Sequence, residues 1–470
     1  MIQKNLLSII HTLLVILVSY LYLSFNLKIT LIVISYFSII IILTLLLYVD
    51  NIQKLLVHLI IASFPFLNIQ SEISHHFYFG IIDIFMVPIV IFMWYKILIG
   101  HYKKIKRSFS LLFLFIFILL VWGLLKSDYR ILNIRYIMYF VYSVTFFRMI
   151  IDELNSINDL KSICSIILII SLYPILIAFF EFYSGSDITA LLQIGGSLKI
   201  DQRVSGPMSV NGLGFYLGVN IIFLLLYYEI TKRHLIFAFF LLLYLITIYL
   251  SGSRAAFLFA FINLAGYVYL RVIFTESKNK LIYFLMSNVA IIILLFIGYY
   301  IFLNRLQGTM DLRTDFAFVT RIFIWKAALD LFLTDPISGI GLGNFVLYHE
   351  NVINYDVKIF LLLGGHYHAH NLFLHLLATT GLIGFLGTLS FVSYVGYKII
   401  QKIRNMDFYY RKILLGIILI AFLGYLISQQ FDLLVASPSH SRAILLTVLL
   451  LGITHNFLYK KIITNDYLIS

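Results

Sequence analysis

Residues 163–183 read ICSIILIISLYPILIAFFEFY. A helix of about 20 residues spans the roughly 30 Å of bilayer hydrocarbon, and this run holds one charge, Glu181. Similar runs recur along the 470 residues, which are 62% hydrophobic and 12% charged. A soluble chain would be about a quarter charged. The runs are continuous rather than alternating, which excludes a barrel. The fold expected is an all-α polytopic membrane protein.

Fourteen spans qualify: Leu6–Phe25, Ile29–Val49, Leu55–Ile69, Phe77–Tyr95, Phe109–Leu125, Ile131–Phe147, Ile163–Tyr183, Leu213–Tyr228, Leu235–Leu250, Ala255–Ile273, Leu281–Leu303, Asn371–Tyr397, Ile413–Gln429 and Ala443–Tyr459. The third is short and contains Pro65, and the sixth contains Arg135; if either is re-entrant or interfacial, the count falls toward twelve. The first run is soon followed by another, so it reads as a retained span rather than a cleaved leader. One integral domain over residues 1–470 is expected, with a large loop at 304–370 inserted between spans. The single cysteine, Cys164, allows no intrachain disulfide.

Lysine and arginine bias sets the orientation. Basic clusters at Lys103–Arg107, Lys232–Arg233, Arg271–Lys280, Lys402–Lys412 and Lys460–Lys461 all fall on one side, which is the cytoplasm, together with both termini. The net charge of +13 therefore reports topology and implies no nucleic-acid partner.

The basic residues left outside need a reason. Among them are Arg203, Arg254, Arg305, Arg313, Arg321 and Arg442. Guanidinium groups grip phosphate in bidentate fashion, so the set suits a lipid-linked phosphate or pyrophosphate. Equally, each could snorkel to headgroups or pair with Asp201, Asp311 or Asp315. Asp83, Glu181 and Asp432, at outer span ends, could act as bases, hold sugar hydroxyls or pair with arginine.

Within the large loop, FVTRIFIWKAALDLF (318–332) is helical, with Arg321 and Trp325 sharing a face. Asp335-Pro336 ends it. The glycines of GIGLGN (339–344) either make a tight turn or let backbone approach a glycan or phosphate. His366, His368 and His370 then precede Asn371, which can cap the twelfth span and turn the positive end of its dipole outward. Zinc is conceivable for such a cluster, but no cysteine or nearby carboxylate completes a site. A single histidine acting as base fits better. His375 reads as a packing residue. Gly381, Gly384 and Gly387 would let that helix pack closely.

His370-Asn371, nine residues, then Gly381-Leu-Ile-Gly384 resembles the histidine motif of the O-antigen ligase and O-antigen polymerase superfamily. Arg321, Trp325, Pro336 and Gly339–Phe345 resemble its upstream loop, and Arg203-Val-Ser-Gly206 with Asn211, and Ser251-Gly-Ser-Arg254, its earlier arginine motifs. The resemblance covers roughly residues 203–387. It implies a GT-C-like fold of about 12–14 transmembrane helices with short helices in the large loop, in the bacterial cytoplasmic membrane. It also implies a metal-independent, inverting glycosyltransferase that needs no cofactor and works at the outer face. Its donor would be an undecaprenyl-pyrophosphate glycan, and its acceptor a growing glycan or lipid A-core. Arg203, Arg254 and Arg321 would bind the pyrophosphate, His370 would activate the acceptor hydroxyl, and Asn371, Gly381, Gly384 and Trp325 would support the site. The span count exceeds the twelve usual for ligases, which tilts the expectation toward a polymerase of O-antigen or capsule repeats, with lipopolysaccharide ligation as the alternative. A flippase, the rival from another class, would carry internal repeats and midplane polar residues, and neither is evident.

Overall fold

The computed structural model describes residues 52–66, 70–74, 77–98, 105–127, 130–185, 204–206, 210–274, 316–345, 368–406, 409–430 and 441–459, with scattered positions between 281 and 296. The helices are α1 (Ile52–Ser63), α2 (Ile81–Leu98), α3 (Arg107–Lys126), α4 (Arg130–Glu153), α5 (Ile157–Ser184), α6 (Val210–Thr231), α7 (His234–Ser251), α8 (Arg254–Phe274), α9 (Phe316–Thr334), α10 (Leu372–Arg404), α11 (Tyr409–Ser428) and α12 (Ser441–Tyr459). Eight of them, α3–α8, α10 and α11, contain stretches long and apolar enough to cross a membrane. The first two expected spans lie outside the described residues.

The third expected span stops early. Helix α1 ends at Ser63, a 3-10 turn covers Phe64–Phe66 around Pro65, and an antiparallel hairpin follows. Its strands, β1 (Gln70–Ser74) and β2 (Phe77–Gly80), pair Gln70 with Gly80 and Glu72 with Tyr78. Phe77-Tyr-Phe79 reads from sequence as the start of a span. Aromatic residues favour strands equally well, and here they pair, so α2 starts at Ile81.

Local sequence sets the helix ends. A capping box starts α5: Ser156 Oγ accepts the Asp159 N–H at 3.2 Å, and Asp159 Oδ2 accepts the Ser156 N–H at 3.0 Å. Gly185, left-handed at φ 64°, stops it. Helix α6 is the hub, packed by α5, α7, α8 and α11. It is apolar all round because nearly every face is covered; Leu213, Leu217, Ile221, Ile222, Phe223 and Leu224 are fully buried. Gly214 and Gly218, four apart, admit α8: a Cβ on Gly214 would stand 2.8 Å from both the Ala256 and Ser253 Cβ atoms.

Polar contacts join like ends of neighbouring helices. At one end, buried Arg135 binds Asp83 through both Nη atoms, at 2.7 and 2.9 Å, and donates to Tyr139 Oη at 2.7 Å. The Val204 N–H reaches Leu250 O at 3.3 Å and the Leu372 N–H reaches Gln429 O at 3.0 Å. At the other end, Lys54 pairs with Asp159, and buried Glu229 accepts from Lys232, Tyr267 and Arg271. His370 belongs to the first end and Arg404 to the second.

Candidate active site

The site end is built on α9, the glycine loop that follows it, and the first turns of α10. The apolar face of α9, with Ile324, Ala327, Ala328 and Leu331, buries against Phe345, Ala369 and Ala378. Arg321 and Trp325 are both half-buried on that helix. Trp325 keeps its indole N–H buried with no hydrogen-bond partner. Ala369 packs in this cluster, so α9 lies directly beside the His370 backbone.

His370 is held in the left-handed region at φ 49°. Its N–H donates to His368 Nδ1 at 3.3 Å, and the two rings meet at 4.4 Å between centroids. A non-glycine residue in that region is uncommon, and such strain concentrates at functional sites. Asn371 then caps α10: its Oδ1 accepts the Leu374 N–H at 3.0 Å. His375 is buried against the Phe345 ring at 5.3 Å. His366 lies outside the described residues. Among the described residues no group of three His, Cys, Asp or Glu side chains converges.

Gly381 breaks α10, with φ 59° and ψ −164° inside the helix. A break leaves backbone groups without helical partners, which is costly in a membrane. The glycine loop meets them. Ile340 N–H donates to Ala378 O at 2.9 Å and Gly341 N–H to Thr379 O at 2.8 Å; Leu382 N–H donates to Pro336 O at 2.8 Å and Ile383 N–H to Ile337 O at 3.2 Å. Gly339 and Gly341 of GIGLGN therefore serve backbone-to-backbone packing within the protein, while Gly343 makes room for the Asn133 and Tyr136 side chains. A Cβ on Gly339 would meet Thr379 C and Thr380 N at 2.5 Å each, and one on Gly341 would meet Gly123 Cα at 2.7 Å. Gly387 lies against the Phe115 ring, and Gly384 fits beside Thr380.

Helix α3 secures the loop. Lys126 Nζ binds the Asp335 carboxylate, Ser338 Oγ at 3.0 Å and Gly339 O at 2.6 Å. The Lys126 ammonium, with further help from Ser338, holds the Asp335 carboxyl below the usual carboxylate range. Asn344 Nδ2 donates to Ile340 O at 2.9 Å and Gly123 O at 3.2 Å, and its Oδ1 accepts from Asn133 Nδ2 at 2.8 Å. Sequence reasoning missed Lys126 and the Asn133–Asn344 pair. The charge bias that singled out the outer arginines applies equally to Lys126, a cation at the outer end of the fifth expected span.

Arg254 is exposed at the first residue of α8. Gly252, at φ 60°, closes α7 by donating to Ile248 O and Tyr249 O, and Ser253 Oγ accepts the Ala256 N–H at 3.4 Å. The tight turn fixes Arg254 at the positive end of a helix. Arg203, Arg305, Arg313 and Asp432 lie outside the described residues. The residues after Arg203 are tied down: buried Glu181 accepts the Ser205 and Gly206 N–H groups, each at 2.8 Å. Of the expected carboxylates, Asp83 is thus paired with Arg135 and Glu181 holds backbone.

Residues 215–389 match the family model described as O-antigen ligase. Over this stretch the chain is similar to the O-antigen ligase family. The stretch runs from α6 into α10 and includes Arg254, Arg321, Trp325, the glycine loop, His370, Gly381 and Gly384; Arg203 precedes it. The chain is also 24% identical over 337 residues to the teichuronic acid biosynthesis protein TuaE of Bacillus subtilis (strain 168), covering 69% of this chain and 67% of that one. Both matches support a membrane enzyme of polysaccharide biosynthesis, of the glycosyltransferase or ligase type.

Proposed function

We propose that the protein polymerises glycan repeat units carried on undecaprenyl pyrophosphate, at the outer face of the bacterial cytoplasmic membrane. The observation that carries the reading is that His370, strained at the mouth of α10, and Arg254, at the first residue of α8, lie at the same end of the bundle. Arg254 sits where the helix dipole already favours an anion, and a cation there gains nothing from its own helix. That placement suits binding of a pyrophosphate by Arg254 and the α8 N-terminus, with Arg203 and Arg321 completing the clamp. The buried indole N–H of Trp325 offers a further donor to a ligand oxygen.

In the reaction, the His370 imidazole takes the proton of the acceptor hydroxyl. The hydroxyl oxygen attacks the anomeric carbon from the face opposite the leaving group, and configuration inverts. The bond from that carbon to the phosphate oxygen breaks, and undecaprenyl pyrophosphate leaves with the electron pair. Guanidinium groups placed where this charge develops lower the barrier.

The polymerase reading draws on a relative named for teichuronic acid biosynthesis. The ligase reading, with lipid A-core as acceptor, draws on the name of the family. Surface glycans of a deletion strain, run on a gel, separate them. Single repeats on the final acceptor indicate a lost polymerase, and long polymer stranded on undecaprenyl pyrophosphate indicates a lost ligase. Normal glycan in both respects refutes both. In purified protein, His370→Ala, Arg254→Ala and Arg203→Ala should each abolish transfer without loss of protein.

A further inference from the structure

We propose that Lys126, acting through Asp335 and the glycine loop, is a positioning residue for His370; the role assumes the transferase reading above. The break at Gly381 leaves residues 372–380 as a short helix detached in axis from the long remainder of α10. His370 and Asn371 stand at its far end. Nine residues make a helix of about 13 Å, so a tilt of about 5° at the break moves that end by about 1 Å. A misplacement of that size can cost about 10²-fold in rate.

The glycine loop governs the tilt. Both carbonyls freed on the short helix, of Ala378 and Thr379, bind Ile340 and Gly341, while both N–H groups freed on the long part, of Leu382 and Ile383, bind Pro336 and Ile337. One six-residue segment thus splints the two halves. The splint takes its own position from α3. Lys126 spends its ammonium protons on three acceptors of one turn: Asp335, Ser338 and Gly339. The last of these sits one residue before the splint's first bond to the short helix. An ammonium on α3 thereby sets the angle at which the histidine is presented.

The test uses the full-length protein in nanodiscs with two readouts. One is steady-state transfer from an undecaprenyl-pyrophosphate glycan, separating kcat from donor KM. The other is hydrogen exchange over residues 378–383 without substrate. Lys126→Met should lower kcat by about tenfold to a hundredfold while donor KM stays within about twofold. It should also speed exchange at Leu382 and Ile383. Lys126→Arg should restore most of kcat. Asp335→Asn, which keeps the side-chain size, should behave like Lys126→Met and serves if that variant fails to accumulate. Wild-type kcat in Lys126→Met and Asp335→Asn, or a loss confined to KM, overturns the proposal. So does unchanged exchange. A wild-type protein that transfers nothing would refute the transferase reading instead, and exchange alone would then decide whether the splint depends on Lys126.

Discussion

Replacing Gly381 by alanine should destabilise the protein severely. At φ 59° and ψ −164° the backbone occupies a region open essentially to glycine alone, and forcing a Cβ there costs about 1–3 kcal/mol. The new atom would also stand 2.3 Å from Ile337 O, 2.4 Å from Ile337 C and 2.6 Å from Ser338 N. These are backbone atoms and cannot rotate away, so the loop must lift. Lifting it breaks the Leu382–Pro336 and Ile383–Ile337 bonds, worth about 0.5–1.5 kcal/mol each. The sum is about 2–6 kcal/mol, against a total stability of about 5–15 kcal/mol for a typical domain. Cys164, the single cysteine, is fully buried in α5, so a thiol-reactive dye reports unfolding without further engineering. At about 2–4 °C per kcal/mol, Gly381→Ala should lower the midpoint by at least about 4 °C. A midpoint within about 1 °C of wild type would show that the break is not held as described.

Arg135→Met should cost about 3–5 kcal/mol, because it strands the buried Asp83 carboxylate, whereas Asp83→Leu/Arg135→Met should recover most of the loss in the same melt; a double variant no better than the single one refutes the pairing. Gly214→Leu should overpack α6 against α8 and lower the midpoint, since even a Cβ there would meet Ala256 and Ser253 at 2.8 Å. Asp335 has a depressed carboxyl pKa in the folded protein. Its contribution is therefore complete above the unfolded carboxylate value, near 4, and fades as pH falls through the lower folded value. Exchange over residues 336–341 should rise in that acid window in wild type and lose the dependence in Asp335→Asn. Glu181→Ala should leave the Ser205 and Gly206 N–H groups unmet, at about 1–3 kcal/mol each, and a melt unchanged from wild type would refute that role.

Most of the fold was legible because hydrocarbon thickness imposes a length on each apolar run, and runs such as Ile163–Tyr183 carry it openly. The Phe77–Gly80 strand was not, since a four-residue aromatic segment satisfies helix and strand patterns alike. In the site, Asn371 could be read as a cap from its place between a polar loop and an apolar run. The glycines at 339, 341 and 343 gave only the local message that side chains are excluded. Whether a ligand or the protein itself fills that space is a tertiary fact, here decided by Thr379–Gly381 at Gly339, by Gly123 at Gly341 and by the Asn133 and Tyr136 side chains at Gly343. The pairing of Asp83 with Arg135 and the grip of Lys126 on Asp335 join residues 52 and 209 positions apart, a choice of partner that charge alone does not make.

The interrupted helix α10 also bears on the order of synthesis. The loop groups that meet its break lie upstream: Pro336–Gly341, held in turn by Gly123 and Lys126 on α3, precedes Ala378–Ile383 in the chain. A ribosome working from the N-terminus delivers the receptor before the helix that needs it. The exposed carbonyls and N–H groups of the break can thus leave the translocon directly onto a prepared surface and need never face lipid alone. The reverse arrangement, a broken helix waiting in the bilayer for a later loop, would ask the nascent chain to hold unpaired backbone in hydrocarbon for as long as translation takes.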